Sequence, residues 1–353
     1  MVVLEINKVT NSDIESEEAS WEVLGINVNA TITTPKNVKA GDAIILIAGS
    51  GPTDRNWCSP LLKGTNGSGK LLAEKLAGEG FITIRYDKLA ANKDIKAFLP
   101  KLVGKISMQS HLEELKGAVE TINSRYKIRN MFALGNSEGC IHAVNYQLQA
   151  KKKPFDGLIL TGAPGRSVGE VARNQLSDQL KNLSTMGGVV GILGKLGLLP
   201  KENQVMKYYD KAVADFINGK SMTMDKSLPK SIKRMLSSME TPTNLPFSRE
   251  LWTYSLPEHV TDVVVPILVL IGKKDIQVGW DVDGKALENA MNKMMEVTFG
   301  YPEDANHLLK HEDKARDVLN VQYVSSHYNS PEAKLDEESS ELISNWLKRY
   351  NKN

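Results

Sequence analysis

The chain has 353 residues, 44 of them basic and 42 acidic, for a net charge of +2, and 41% of its residues are hydrophobic. These proportions are those of a globular protein and exclude a long disordered chain. Basic side chains are interspersed with acidic ones, so the composition offers no basic surface for nucleic acid. No stretch reaches the roughly 18 to 20 apolar residues that span a membrane, and we expect no stable membrane insertion.

The segment before Pro35 is predicted to form strands. Residues 2–9 and 21–34 alternate apolar and polar side chains and are rich in Thr, Val and Ile, which favours an antiparallel entry to a sheet. The first residues lack the basic segment and long apolar run of a secretory signal, so we expect a cytoplasmic protein. Cys58 and Cys140 fit no zinc-ligand spacing, and no structural metal is expected from cysteine.

Short apolar runs bounded by turn residues then recur along the chain, as expected for strands buried on both faces of a parallel sheet. They lie at residues 43–48, 81–86, 131–134, 157–160 and 266–271, and residues 297–299 are predicted as the last strand. Helical patterns occupy residues 70–77, 111–126, 138–150 and 336–350. This alternation predicts an α/β fold, with a mostly parallel central sheet flanked by helices.

The alternation of strands and helices stops after Ala163. Residues 166–259 have helical patterns without a convincing buried strand. We interpret them as a helical cap inserted into a discontinuous core that consists of residues 1–165 and 260–353. Within the cap, residues 186–200 are apolar and rich in glycine, and they are interpreted as the lining of an acyl pocket, a moving lid, or a hairpin packed on the core.

A serine follows the third buried strand on a predicted tight turn. Residues 135–139 read Gly-Asn-Ser-Glu-Gly, a G-x-S-x-G pattern between a strand and a helix. Gly135 and Gly139 fit this pattern, because the backbone of such a nucleophile elbow is strained and other parts of the chain pack closely on it, which leaves no room for a side chain. Ser137 would then stand at a helix N-terminus, where the backbone N–H of Glu138 can bind an oxyanion. The alternative is a glycine-containing turn without catalysis.

An activated serine needs an orienting acid and a base further along the chain, in the order serine, acid, histidine. Asp275 comes just after the strand at residues 266–271, at the edge where ligands meet an open parallel sheet. Asp281 and Asp283 are the weaker candidates for this acid. Of the six histidines, only His307 follows a core strand at the right place in the order.

Two other histidines bear on this assignment. His311 lies four residues after His307, and on one helical face the pair would suggest a metal site. Leu308 stands where a zincin has its glutamate, which disfavours that interpretation. His111 falls in a helical pattern of the surface type and is not a candidate.

The order and contexts of Ser137, Asp275 and His307, with the helical insertion before the acid strand, resemble the α/β-hydrolase superfamily. The resemblance covers nearly the whole chain from about Ala43. It implies a Ser-Asp-His triad that acts without a metal or an organic cofactor. The dehalogenase and epoxide-hydrolase branches are disfavoured, because they carry an aspartate where Ser137 stands.

Two motifs resemble those of one group within the superfamily. Residues 49–55 read GSGPTDR and residues 85–88 read RYDK. These motifs are similar to those of a group of bacterial carboxylesterases that carry GSGPTDR and RYDKRG after the corresponding strands. Ala48 stands where that group has histidine, and residues 89–90 are Leu-Ala instead of Arg-Gly.

The same resemblance implies a second source of oxyanion N–H groups, at Ser50 or Gly51. A glycine-rich loop after a core strand can bring backbone N–H groups close to a substrate without an intervening side chain. These groups would act together with the N–H of Glu138.

A second glycine-rich segment, GTNGSGK at residues 64–70, fits the first part of a phosphate-binding loop. The next residue is Leu71 instead of the Ser or Thr that would hold magnesium, and no strand leads directly into the segment. We therefore interpret it as a flexible loop before a core helix.

The sequence thus predicts a serine carboxylesterase that cleaves short- to medium-chain esters through an acyl-enzyme intermediate. A thioesterase or an amide or peptide hydrolase with the same triad remains an alternative, as does a non-catalytic binding module with a vestigial serine turn. The expected partner is a small-molecule ester, and a homo-oligomer is compatible with the sequence.

Overall fold

The computed structural model describes residues 13–150, 152–185, 202–294 and 296–350. One eight-stranded sheet runs through this part of the chain. Its strands are β1 (Ile14–Val23), β2 (Ile26–Pro35), β3 (Ala40–Ile47), β4 (Ile82–Tyr86), β5 (Lys127–Asn136), β6 (Gly157–Thr161), β7 (Ile267–Leu270) and β8 (Val297–Gly300). Their order across the sheet is β1-β2-β4-β3-β5-β6-β7-β8.

The sheet is mostly parallel, as predicted. Strand β2 pairs antiparallel with β1 and β4, and the remaining neighbours pair in parallel. The central strands are buried along most of their length because helices cover both faces, which explains why they read as continuous apolar runs. The carboxyl ends of the parallel strands therefore meet at one edge of the sheet.

The described residues form twelve α-helices, and four of these match the helices predicted at residues 70–77, 111–126, 138–150 and 336–350 to within three residues. The twelve are α1 (Ser68–Gly78), α2 (Ile95–Leu102), α3 (Met108–Arg125), α4 (Glu138–Gln149), α5 (Val168–Thr185), α6 (Glu202–Ile217), α7 (Lys230–Met239), α8 (Phe247–Thr253), α9 (Leu256–Val260), α10 (Lys285–Met291), α11 (Val321–His327) and α12 (Glu337–Lys348). None of these helices is both long and apolar enough to cross a bilayer.

The terminal helix α12 closes the core beside the sheet. Asp336 caps it, with a carboxylate oxygen 2.7 Å from the backbone nitrogen of Ser339. Ile343, Trp346 and Leu347 are buried in the same apolar cluster as strand and α1 residues, so the helix presents an apolar face to the core.

The chain divides into two compact units. Of the described residues, the first unit takes 13–96, 111–150, 152–165, 256–294 and 296–350 and contains the sheet. The second takes 97–110, 166–185 and 202–255 and is helical, with its own apolar cluster around Tyr209, Phe216 and Leu236. Residues 97–110, which the sequence analysis assigned to the core, group with the helical unit.

The N-terminal hairpin differs from its prediction. Strands β1 and β2 pair antiparallel, but they meet at a tight turn whose residues Leu24 and Gly25 both have positive φ, 53° and 78°. The predicted strand at residues 21–34 is therefore two strands joined by this turn. Two further segments from the sequence analysis, residues 2–9 and 186–200, lie outside the described residues.

Candidate active site

Ser137 stands on a sharp turn between β5 and α4. Its backbone has φ 54° and ψ −117°, a conformation that a residue with a side chain rarely adopts. The turn is held by a hydrogen bond from the Ser137 N–H to the carbonyl of Thr161, 2.8 Å, and by one from the Cys140 N–H to the Ser137 carbonyl, 3.0 Å. Ser137 is partly exposed while its neighbours on both sides are buried.

The two glycines that flank the serine face each other across the turn. A Cβ on Gly135 would lie 2.5 Å from the carbonyl oxygen of Gly139. A Cβ on Gly139 would lie 2.3 Å from the carbonyl oxygen of Ile47 at the end of β3. Because these contacts are with backbone atoms, which cannot rotate away, both positions require glycine.

We expect the Gly139→Ala variant to lose about 1 to 3 kcal/mol of unfolding free energy, as core overpacking typically does. The measurement is urea unfolding followed by circular dichroism. Gly41→Ala is the matched control, because the atom nearest to its added Cβ would be Ile82 Cδ1 at an ordinary 3.4 Å. Equal stability of the two variants would contradict the close approach at Gly139.

Asp275 and His307 lie in the loops that follow the neighbouring strands β7 and β8. The Asp275 Oδ2 atom is 2.6 Å from His307 Nδ1. The second carboxylate oxygen of Asp275 accepts the backbone N–H groups of Gln277 and Val278, at 2.7 and 3.0 Å. Asp275 is fully buried and His307 is 5% exposed, so water does not compete for their contact.

The loop that carries His307 is attached to the residue before the serine. The Asn136 side-chain amide donates to the His307 carbonyl, 2.9 Å, and to the hydroxyl of Thr161, 3.2 Å. A Cβ on Gly162 would lie 2.9 Å from the imidazole Cε1 of His307. The histidine ring therefore packs over the end of β6, next to the end of β5.

The alternative candidates are engaged elsewhere. Asp283 is buried and accepts the backbone N–H groups of Gly165 and Gly279, while Asp281 pairs with Arg316. His311 contacts Asp313 and Asp336, and it lies in a short β-bridge, not on a helix with His307. Among the described residues, the carboxylate beside the His307 ring is that of Asp275.

The loop after β3 lies against the serine turn. A Cβ on Gly49 would be 3.3 Å from Ser137 Cβ, so this loop passes within van der Waals distance of the serine. Ser50 and Gly51 follow and are exposed, and Gly51 has φ 83°. The Ser50 carbonyl accepts the Thr53 hydroxyl, 2.8 Å, which fixes the far side of the loop.

The two sequence motifs contact each other. The Arg55 guanidinium makes a bidentate contact with the Asp87 carboxylate, through Nε at 3.1 Å and a terminal nitrogen at 2.9 Å. The Arg55 backbone N–H also donates to Asp87, 2.8 Å. The loop that contains Ser50 is thus tied to the end of β4.

The glycines of the phosphate-loop-like segment have a structural explanation. A Cβ on Gly67 would lie 1.9 Å from the carbonyl oxygen of Asn56, and a Cβ on Gly69 would lie 2.7 Å from the Trp57 ring. Gly67 precedes α1 and packs directly on the preceding loop. The glycines permit this close packing and do not form an open phosphate cradle.

Lys310 is buried three residues after His307. Its ammonium group donates to the Asn66 carbonyl, and burial lowers its pKa from 10.5 to about 8. At this side chain the folded protein therefore binds fewer protons than the unfolded chain above pH 8, so the contribution of Lys310 to the free energy of unfolding rises with pH.

We expect the free energy of unfolding of the parent, relative to that of Lys310→Met, to rise by about 2 kcal/mol between pH 7 and pH 10. Urea unfolding at several pH values measures it. Lys70→Met, at an exposed helix position, should keep the parental pH dependence. If the free energy of unfolding of Lys310→Met changed with pH as that of the parent does, the lysine would titrate in the folded protein as it does in the unfolded chain.

One part of the site was missed by sequence reasoning. His111 was predicted to lie in a surface-type helix, and this prediction is wrong, because its side chain is 4% exposed. It packs beside His142 of α4, with ring centroids 4.8 Å apart, and Glu138 contacts His142 in turn. No local pattern signals these contacts, since they join α3 to α4.

No protein-family model matches the chain. Among curated proteins, Esterase EstD from Thermotoga maritima is 28% identical over 187 residues, which are 52% of this chain and 41% of that protein. The chain thus aligns with less than half the length of this curated relative.

Among solved structures, Est1E from Butyrivibrio proteoclasticus with bound ferulic acid has a TM-score of 0.51 and 13% identity, covering 94% of this chain and 98% of that one. The chain has the α/β-hydrolase fold. A thermophilic esterase from Thermogutta terrifontis with bound malate has a TM-score of 0.48 and 14% identity, covering 95% of this chain and 100% of that one.

Proposed function

We propose that this chain is a serine carboxylesterase in which Ser137 is the nucleophile, His307 the base and Asp275 the orienting acid. The observation that carries the proposal is the 2.6 Å contact between Asp275 and His307, at the sheet edge where Ser137 follows β5. The similarity to an esterase over half of the chain supports the same reaction class.

The Asp275 carboxylate selects the imidazole tautomer. An ionised carboxylate only accepts hydrogen bonds, so His307 must present an N–H at Nδ1 and a lone pair at Nε2. That lone pair takes the proton of the Ser137 hydroxyl as the oxygen attacks the ester carbonyl. The imidazolium that forms is stabilised by the buried carboxylate.

The tetrahedral intermediate carries its negative charge on the former carbonyl oxygen. The N–H of Glu138 opens helix α4 and has no partner within the helix, which suits it to bind this oxygen. A second N–H would come from Ser50 or Gly51 in the loop beside Ser137. Each such donor is typically worth about 3 to 4 kcal/mol of transition-state stabilisation.

Collapse of the intermediate releases the alcohol, which takes its proton from His307, and leaves an acyl group on Ser137. Water activated by the same histidine then hydrolyses the acyl-enzyme. Every proton in this sequence is moved by His307, so the proposed mechanism requires neither a metal nor an organic cofactor.

Substrate length is proposed to depend on the helical unit, as the cap of the enzyme. We propose short- to medium-chain acyl esters as substrates. The alcohol part and the stereochemistry are not assigned.

The test combines hydrolysis of p-nitrophenyl acetate, butyrate, octanoate and palmitate with labelling by a fluorophosphonate probe. We expect turnover that peaks at butyrate or octanoate, and a label on the parent protein but not on Ser137→Ala. Labelling without hydrolysis of any ester would move the assignment to a thioester, amide or peptide substrate. A folded parent that is neither active nor labelled would overturn the proposal.

A further inference from the structure

A buried lysine touches both segments that are proposed to carry the oxyanion donors. Lys88 follows β4, and its side chain is 5% exposed. Its ammonium donates to the carbonyl of Gly49, 3.1 Å, at the start of the loop that contains Ser50 and Gly51. The same ammonium forms an ion pair with the carboxylate of Glu138, the residue directly after the serine.

The Glu138 carboxylate is ionised where it lies. Burial alone would raise its pKa, but Lys88 and the His142 N–H outweigh burial and hold it well below its ordinary value. A negative charge one residue from Ser137 opposes the charge that develops on the substrate oxygen. The Lys88 ammonium offsets this charge, so the surroundings of the oxyanion are not left negative.

The ion pair is supported from a second side. His142 Nε2 lies 3.0 Å from the Glu138 carboxylate, and burial lowers the pKa of His142 to about 4, so the neutral ring donates its Nε2–H. On α3, Glu114 accepts both His111 Nδ1, at 2.9 Å, and the backbone N–H of Leu89, at 2.7 Å. These contacts hold the segment around Lys88 against α3 and α4.

His111, His142 and Glu138 are also residue types that bind metal ions. Ligand atoms of His111, Glu138 and His142 lie within 4.8 Å of one another. However, the Lys88 ammonium already contacts the carboxylate of Glu138, and a divalent cation there would be placed beside a buried positive charge. The contacts therefore favour a lysine-centred network over a metal.

We propose that Lys88 is a positioning residue for ester hydrolysis. It fixes the Gly49 loop and the Glu138 turn relative to each other, so that their N–H groups converge on the oxyanion, and it neutralises the Glu138 side chain. Lys88 acts through these two segments and does not touch the reacting atoms. This inference rests on the proposed function.

The deciding variant is the double substitution Lys88→Met with Glu138→Gln, which removes both buried charges and so avoids an unpaired carboxylate. The readouts are kcat per fluorophosphonate-titrated serine, KM for p-nitrophenyl butyrate, and the inhibition constant of a trifluoromethyl ketone, which forms a tetrahedral adduct with the serine. We expect kcat to fall about tenfold and the inhibition constant to rise about tenfold, with KM within about threefold of the parent.

The single variant Lys88→Met leaves the Glu138 carboxylate uncompensated and should lose about 100-fold in kcat if it folds. Arg129→Met is the matched control, since it removes a cation that pairs with another buried carboxylate, that of Asp42 near the start of β3. We expect this control to be less stable but to keep kcat within about threefold of the parent.

A folded double variant with the parental kcat and inhibition constant would overturn the inference while the proposed function stands. A loss confined to KM would overturn it as well, because positioning of oxyanion donors acts on the transition state. If the parent protein neither hydrolyses esters nor takes the fluorophosphonate label, the proposed function fails and the inference about Lys88 fails with it. Measurements on the parent therefore separate this outcome from a failure of the Lys88 inference alone.

Discussion

Replacement of Ser137 by alanine is expected to lower kcat for p-nitrophenyl butyrate by about a million-fold, the scale seen when a triad nucleophile is removed. The reason is that no acyl-enzyme can form without the Ser137 hydroxyl, and the remaining donors stabilise only uncatalysed attack by water. Steady-state kinetics measure this loss, with circular dichroism to show that the variant is folded.

Ser124→Ala is the control for this substitution. Ser124 is an exposed serine of helix α3 whose hydroxyl donates to a backbone carbonyl of its own helix, and its loss should leave kcat at the parental value. If Ser137→Ala kept a tenth or more of the parental activity, another residue would be the nucleophile.

The Asp275→Asn variant is expected to lose about 10⁴-fold in kcat with little change in fold. The asparagine oxygen can still accept the backbone N–H groups of Gln277 and Val278, so the loop should keep its shape. The amide NH₂ would then face His307 Nδ1, which must accept a hydrogen bond and move its own proton to Nε2. In that tautomer the imidazole cannot take the serine proton.

Kinetics and thermal unfolding together test this expectation. Asp281→Asn is the control, because Asp281 is an alternative acid from the sequence and pairs with Arg316 instead of the histidine. It should keep kcat within about threefold of the parent. An equal loss in both variants would contradict the assignment of Asp275.

Much of the parallel sheet could be predicted because its strands are buried on both faces. Residues 43–48 and 266–271 are apolar throughout, and the structure places β3 and β7 at almost these positions. The strand β1 was missed for the opposite reason. Among the described residues it is an outer strand of the sheet, and most of its side chains are exposed, so its sequence lacks an apolar pattern.

The residues of the candidate site likewise include some that the sequence predicts and some that it does not. Ser137, Asp275 and His307 each follow a strand, and chain order with turn residues was enough to propose them. The burial of His111 and Lys88 depends on partners in other elements, at Glu114 and Glu138. A polar side chain becomes acceptable in a core only when such a partner is present, and local sequence does not contain that information.

The glutamates of β1 have a consequence for assembly. An outer strand offers unpaired backbone groups on which a strand from another molecule can be added. In β1 the four glutamates at positions 15, 17, 18 and 22 are all exposed. Arg55 and Arg125 neutralise Glu18 and Glu17, but contact along this strand would take these charged side chains and those of Glu15 and Glu22 out of water, which opposes lateral polymerisation. Any homo-oligomer of this chain is therefore expected to associate through another surface.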